Sequence, residues 1–383
     1  MVLSALFASV DLNSLFFMRI FNAVYVVMGS DSGVWVVVDE RFQLIEECRG
    51  YALWLAHSGR AVNTQKAYQL RLAKFLSWCE ETDVFWKTLP FHRLGAYKAH
   101  LERQYPEGGR LSGRTVNAHL TAVMVFLRYA VAHGFGTDHL RATVEGRRHA
   151  VASLNVAGQW KTTPARLVKA REIKRRPVVL TPTQVARILE AVDRPRDRLL
   201  VLLMLRCGLR AGEALGLRLE DMHMLPDSGH LGCTVPGPHV HVERRSNPNG
   251  AWAKSPYERN VPVPADVCEV HAAYMAQRYS SLGHHQPDAL FLSTTGKNPA
   301  PLGYSGLHSM LTAVGKATGL PVRAHQFRHT AATGWARAKV DPDVIMALLG
   351  HRSLASTSIY LHPAQDELRG AVEGTLPGRD ALQ

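Results

Sequence analysis

Seven consecutive apolar residues, Leu199 to Leu205 (LLVLLML), constrain this chain more than any other stretch. The run reads as a helix with no polar face. Such a helix has nowhere to meet water, so it must pass through the core of a folded domain. It leads through Arg206, Cys207, Gly208 and Leu209 directly to Arg210, a charged residue delivered from the middle of an apolar interior.

The remainder of residues 177–383 alternates helical and strand patterns. Thr181 to Val192 (TPTQVARILEAV) reads as a capped helix with Val185, Ile188 and Leu189 on its apolar face. Thr234 with Val235, HVHVE at 239–243 and NVPVP at 260–264 are strand-like, and the turn NPNG at 247–250 separates the last two. Asp341 and Pro342 start another helix that Gly350 ends.

Residues 39–140 are helical in period. Leu44, Cys48, Tyr51 and Leu55 fall on one face, and Gly59 stops that helix. Asn63 or Thr64 caps a second, in which Tyr68, Leu72, Phe75 and Cys79 align. A third covers Leu94 to Gln104, and a fourth runs from Ser112 to His133 with Leu120, Val123, Leu127 and Val131 inward. The expectation is a mainly α chain with a small antiparallel β-sheet, in two domains, 39–140 and 177–383. Residues 1–38 form an apolar extension of unknown role. Asp11, Asn13, Arg19, Asn22 and Asp31 interrupt it, which argues against a secretory signal or a spanning helix. It is either a segment that docks on a neighbour or the product of an upstream start, with initiation near Met28.

The chain carries a net charge of +13 at pH 7, the balance expected of a polyanion binder. Much of the excess lies in residues 141–176, where ten Lys or Arg face only Glu145 and Glu172. This reads as a basic linker, with Arg147, Arg148, Lys174, Arg175 and Arg176 as candidate contacts to DNA phosphates. The five cysteines are scattered and form no CxxC pair, as suits a reduced cytoplasm.

Three motifs carry the chemistry: GLRAGE with Arg210, HQFRH with His325 and Arg328, and LGHRSLASTSIY with His351 and Tyr360. A phosphodiester gains negative charge as an oxygen attacks it, and forked guanidiniums are suited to hold that charge. A phenol can then act as nucleophile without a metal, and the resulting phosphotyrosyl ester conserves the bond energy, so rejoining needs no ATP. Arg210 and Glu213 are three apart on one helical face, so the carboxylate can fix the guanidinium.

In order and spacing these residues resemble the tyrosine recombinases, the phage integrase family. The resemblance implies that Arg210, His325, Arg328 and His351 surround the scissile phosphate, that Tyr360 attacks it, and that Glu213 supports the first arginine. It also implies a hairpin lysine that protonates the departing 5′ oxygen, a place Lys254 in GAWAKSPYERNVPVP fits. His325 is the better base and His351 the better donor to phosphate, though the two roles are exchangeable. The family further implies a two-domain clamp on double-stranded DNA, a 3′-phosphotyrosyl intermediate and a tetramer acting through a four-way junction. No cofactor is required, and accessory directionality factors are compatible with such a system. ERRSNPNGAWAKS is similar to members borne by phages and transposons. A type IB topoisomerase and a DNA-binding protein that does not cut are the alternatives. The setting is cytoplasmic, at the nucleoid.

Other residues are set aside at this point. His329 is expected to face away from the site, and Arg259 to contact DNA or solvent. His230, Cys233, His239 and His241 match no common zinc-finger spacing and read as ordinary strand and loop residues. Trp54, Trp78 and Trp86 could stack on bases, but Trp78 lies beside an apolar stripe and reads as core.

Overall fold

The structure is a computed structural model, and it describes residues 21–28, 32–103, 111–145, 150–154, 160–164, 168–172, 177–253, 255, 257–283, 287–293 and 299–361. The chain forms two compact units that divide near residue 174.

The first unit opens with an antiparallel hairpin, β1 (Asn22–Met28) and β2 (Ser32–Val38). Strand alternation explains its docking: Val34, Val36 and Val38 pack with Ala52, while Val37 on the opposite face joins the main helical core. Five helices follow: α1 (Glu46–His57), α2 (Val62–Glu81), α3 (Phe91–Arg103), α4 (Gly113–Ala132) and α5 (Asp138–Glu145). Their stripes meet in a core that includes Tyr51, Leu72, Phe75, Tyr97 and Phe126, and Trp78 is buried there too. Ser112 caps α4, its Oγ accepting from the Thr115 amide at 3.2 Å. Leu44 departs from expectation. It precedes α1, is exposed, and bridges Val38 instead of sharing the helix face.

The stretch expected to be a linker is partly structured. Arg141 lies in α5, and β3 (Ala150–Leu154) pairs with β4 (Trp160–Pro164) as a second hairpin. Asn117 on α4 then holds the Ala170 backbone from both sides, accepting from its amide at 2.8 Å and donating to its carbonyl at 3.0 Å. The candidate DNA contacts Arg147, Arg148, Lys174, Arg175 and Arg176 lie outside the described residues.

The second unit is built on the apolar run. After α6 (Pro182–Glu190), capped reciprocally by Thr181 and Gln184, comes α7 (Pro195–Leu205), in which all seven residues from Leu199 to Leu205 are buried. Gly208 turns the chain at φ 65°, and α8 (Ala211–Leu215) begins immediately after Arg210. A three-stranded antiparallel sheet in the order β5-β6-β7 joins β5 (Met222–His223), β6 (His239–Val242) and β7 (Arg259–Pro262). The expected strand at Thr234 and Val235 is a loop, and β5 takes its place beside β6. Pro236 and Pro238 have no amide to give a ladder, which is reason enough.

Next come α9 (Ala265–Leu282), the short pair β8 (Leu292–Ser293) and β9 (Ala300–Pro301), α10 (Tyr304–Thr318), α11 (Ala324–Arg337), α12 (Pro342–Leu349) and α13 (Leu354–Thr357). Asp341 caps α12 through the Asp343 amide, and Gly350 ends it at φ 58°. A single 3₁₀ turn, Ser358–Tyr360, then carries the tyrosine.

Candidate active site

Glu213 is the centre of the site. Its carboxylate is fully buried and faces three guanidiniums that arrive from three elements. Arg210, at the head of α8, donates to it from the backbone amide (2.9 Å) and from Nη1 (2.7 Å). Arg259, on β7, reaches both oxygens, Nη2 to Oε2 at 2.7 Å and Nη1 to Oε1 at 3.3 Å. Arg328, on α11, stands off at 3.7 Å. Burial pushes the Glu213 carboxyl upward, yet the charges of Arg259, Arg210 and Arg328 outweigh it and hold the group below the usual carboxylate range. Three cations against one anion leave the pocket positive.

The end of α12 completes the cage. Its last carbonyls have no partner within the helix and lie at the negative end of its dipole. Leu348 O accepts from Arg259 Nε at 3.0 Å, and Leu349 O accepts from Arg210 Nη1 at 3.2 Å and also from Arg328 Nη2. Arg328 Nη1 donates to Gly208 O, so that side chain is only 2% exposed, against 21% for Arg210. Burial, reinforced by Arg210, pushes the Arg328 guanidinium down to about 9, which leaves it a cation at neutral pH. A Cβ on Gly350 would sit 2.9 Å from Arg259 Nη1, so glycine is needed there for space as well as for its positive φ.

Tyr360 packs with Ala332, Ile345 and Leu349, and its hydroxyl lies 2.8 Å from Nδ1 of His329. Burial raises the phenol above its ordinary value, while Arg328 and Arg210 pull it back. The His351 ring stacks near Tyr360 at 6.3 Å, and its Nδ1 is 3.0 Å from Thr357 Oγ1. His325 is exposed, its ring 4.6 Å from that of His329. His329 and His351 are each pushed down to about 4, chiefly by burial. The largest charge effect comes from His325 at His329 and from Arg328 at His351. A cationic pocket with a phenol beside a neutral imidazole can receive an anionic ester and turn an aromatic hydroxyl against it.

Comparison with known proteins agrees with this chemistry. Residues 178–367 match the phage integrase family. Tyrosine recombinase XerA of Pyrococcus furiosus is 30% identical over 304 residues, covering 75% of this chain and 95% of the relative. The chain belongs to the tyrosine recombinases of the phage integrase family. Transposase A from transposon Tn554 of Staphylococcus aureus is 28% identical over 351 residues, 88% of this chain and 92% of the relative. The structure of XerH site-specific recombinase bound to its difH substrate shares the fold, with a TM-score of 0.57 and 20% identity over 86% of this chain and 85% of that one. This recombinase is therefore a site-specific enzyme that breaks and rejoins DNA, mainly helical with small antiparallel sheets.

Arg210, Glu213, Arg328, His351 and Tyr360 are brought together as the sequence implied, with His325 at the margin. Lys254 lies outside the described residues. Three readings are corrected. His329 does not face away: it is the imidazole that touches the recombinase's tyrosine. Its spacing of four from His325 puts both on one face of α11, a signal available in the sequence. Arg259 is not a surface contact but a wall of the cage. Period-two alternation with the buried Val261 and Val263 would have pointed it inward. A third correction concerns the histidines of the sheet. Cys233, His239 and His241 do converge, joined by His223 and not by His230.

Proposed function

We propose that the recombinase cuts one strand by attack of Tyr360 on a phosphate held by Arg210 and Arg328, leaving a 3′-phosphotyrosyl link and a free 5′ hydroxyl. Lys254 protonates the leaving oxygen. Glu213 acts through the arginines, holding them fixed, and carries no proton. The observation that carries this reading is the Tyr360 hydroxyl 2.8 Å from His329, near enough to Arg328 and Arg210 of the same chain for their charges to favour the phenolate.

His329 receives the phenolic proton. With its own proton on Nε2, it presents a lone pair at Nδ1 to the hydroxyl. A value near 4 makes it a weak base by itself; a phosphate anion beside it offsets the neighbouring positive charge and raises it. His351 donates to the phosphate, and His325 supports the His329 ring. The helical first unit, 39–140, grips the duplex, and the basic stretch 141–176 crosses its backbone. Four protomers act through a junction. The likeness to a transposon protein favours a mobile-element origin.

A nicked duplex bearing the end sequence that flanks the gene tests this directly, because strand loss after cutting traps the covalent adduct. Wild type should give a protein–DNA band on a denaturing gel and Tyr360→Phe none; an adduct in the Phe variant overturns the nucleophile. His329→Gln should slow adduct formation by about 10²- to 10⁴-fold. An unchanged rate returns the base role to His325 or His351. Strand exchange between two sites, measured beside supercoil relaxation, separates recombination from simple swivelling.

A further inference from the structure

We propose that His223, Cys233, His239 and His241 form a closed, four-ligand zinc site at one end of the β5-β6-β7 sheet. The site is independent of the role assigned to Tyr360. The four ligand atoms lie within 4.8 Å of one another. Sheet register brings three of them together: His223 on β5 pairs with His239 on β6, and His241, two residues on, shares the face of His239. Cys233 comes from the loop between the strands, which turns at Gly232 and Gly237, both at positive φ, and is tied by the Cys233 amide to Ser228 O at 3.3 Å.

The spacing fits a tetrahedral ion. Zinc–nitrogen bonds of about 2.0–2.1 Å and a zinc–sulfur bond of about 2.3 Å place tetrahedral ligands about 3.3 Å (N to N) and about 3.6 Å (S to N) apart. His239 Nε2 is 3.0 Å from His241 Nε2, and Cys233 Sγ is 3.3 Å and 3.5 Å from those two nitrogens. Cys233, His239 and His241 thus stand close to bonding distance already, and His223, within 4.8 Å of them, closes the set by moving inward.

The outer contacts supply an independent argument. A metal-bound histidine presents one nitrogen to the ion and donates from the other, usually to a carbonyl or carboxylate. His239 Nδ1 lies 2.7 Å from Gly237 O, which leaves Nε2 for the ion. His223 Nε2 lies 3.2 Å from Glu220 O, and its Nδ1 is buried with no hydrogen-bond partner. A buried ring nitrogen without a partner costs stability, and an ion at the centre of the group removes that cost. One thiolate and three imidazoles suit zinc better than calcium or magnesium, which take oxygen ligands. With four protein ligands no position stays open for water, so the ion is structural and the strand chemistry remains metal-free.

Its effect falls on the catalytic unit. The ion would tie the 224–238 loop to the sheet, and β7 of that sheet carries Arg259, while the β6–β7 connection carries Lys254.

The full-length protein, loaded with zinc and dialysed, should retain one zinc per chain by elemental analysis. Cys233→Ser and His239→Ala should retain none, and His230→Ala should retain it in full. Cobalt(II) added to metal-free protein should give intense tetrahedral visible bands plus a thiolate-to-cobalt charge-transfer band, and Cys233→Ser should lose the latter. Circular dichroism of each variant checks that the helices persist; because Cys233→Ser changes one atom, it also tests the site should His239→Ala unfold. Wild type that retains no metal after loading, or cobalt spectra identical in wild type and Cys233→Ser, would overturn the site.

Discussion

Both units of the chain bury an apolar core, but only one also buries charge. Among the described residues, the first unit buries no charged group: its interior is aromatic and aliphatic, with Gln65, Gln69, Ser77 and Thr143 as polar members. The second buries Asp197, Glu213, Asp221, Arg278 and Arg328. Apolar burial alone is sufficient to fold a helical unit of this size. Buried ion clusters rarely improve on well-packed hydrophobic residues, because desolvation offsets much of the attraction. In the second unit Glu213 and Arg328 lie at the tyrosine site, while Asp197 and Asp221 pair with Arg196 and Arg245, and Arg278 donates to the carbonyls of Ala289 and Leu290.

The strongest way to break this contrast is at the carboxylate. Glu213→Ala leaves three guanidiniums facing one another, and urea unfolding should show a loss of about 3–5 kcal/mol, with adduct formation abolished. A loss below about 1 kcal/mol would mean that water or the α12 carbonyls satisfy the arginines unaided. Leu72→Ala in the first unit should cost about 2–5 kcal/mol, as should Leu203→Ala in the second. The Leu72 variant, once folded at low temperature, should keep its rate of adduct formation on saturating DNA. A rate loss as large as that of Glu213→Ala would mean that the first core serves the chemistry directly.

Acid tests the site's histidines next. His329 and His351 titrate near 4 in the folded chain and nearer 6.5 when unfolded. The unfolded state therefore binds more protons between those values, and stability is lost as pH falls from about 6.5 to 4. Glu213, with its folded value lowered, adds a loss of the same sign at still lower pH. Denaturation midpoints measured across this range should flatten in the His329→Gln, His351→Gln double variant; an unchanged slope assigns acid sensitivity elsewhere. The smallest effect is common to both units. Ser112→Ala and Thr181→Ala each remove a helix cap and should cost about 1 kcal/mol by the same measurement.

Periodicity made the helices legible. Tyr51, Leu72, Phe75 and Leu127 are buried as their spacing required, and the LLVLLML run is the buried helix it resembled. Motif spacing placed Arg210, Glu213, Arg328, His351 and Tyr360 in one site. What escaped depended on approach between distant residues. Spacing could have put His329 on the face of His325, but only the fold brings Tyr360 to it from 31 positions away, and β5 is two residues long, too short to show alternation. His223 was missed with it, since a ligand contributed by so short a strand has no spacing signature of its own. Leu44 kept its helical spacing but lies before the helix begins, because β2 claims its backbone through Val38.

The carbonyls that close α12 have a mechanical consequence. Leu348 and Leu349 together hold Arg259, Arg210 and Arg328, so this helix cannot shift without dragging every guanidinium of the pocket along. A swing of the tyrosine would therefore pivot between Gly350 and Tyr360, in residues 351–359. On the proposed mechanism the three guanidiniums would then keep their places on the α12 carbonyls while Tyr360 alone changed position.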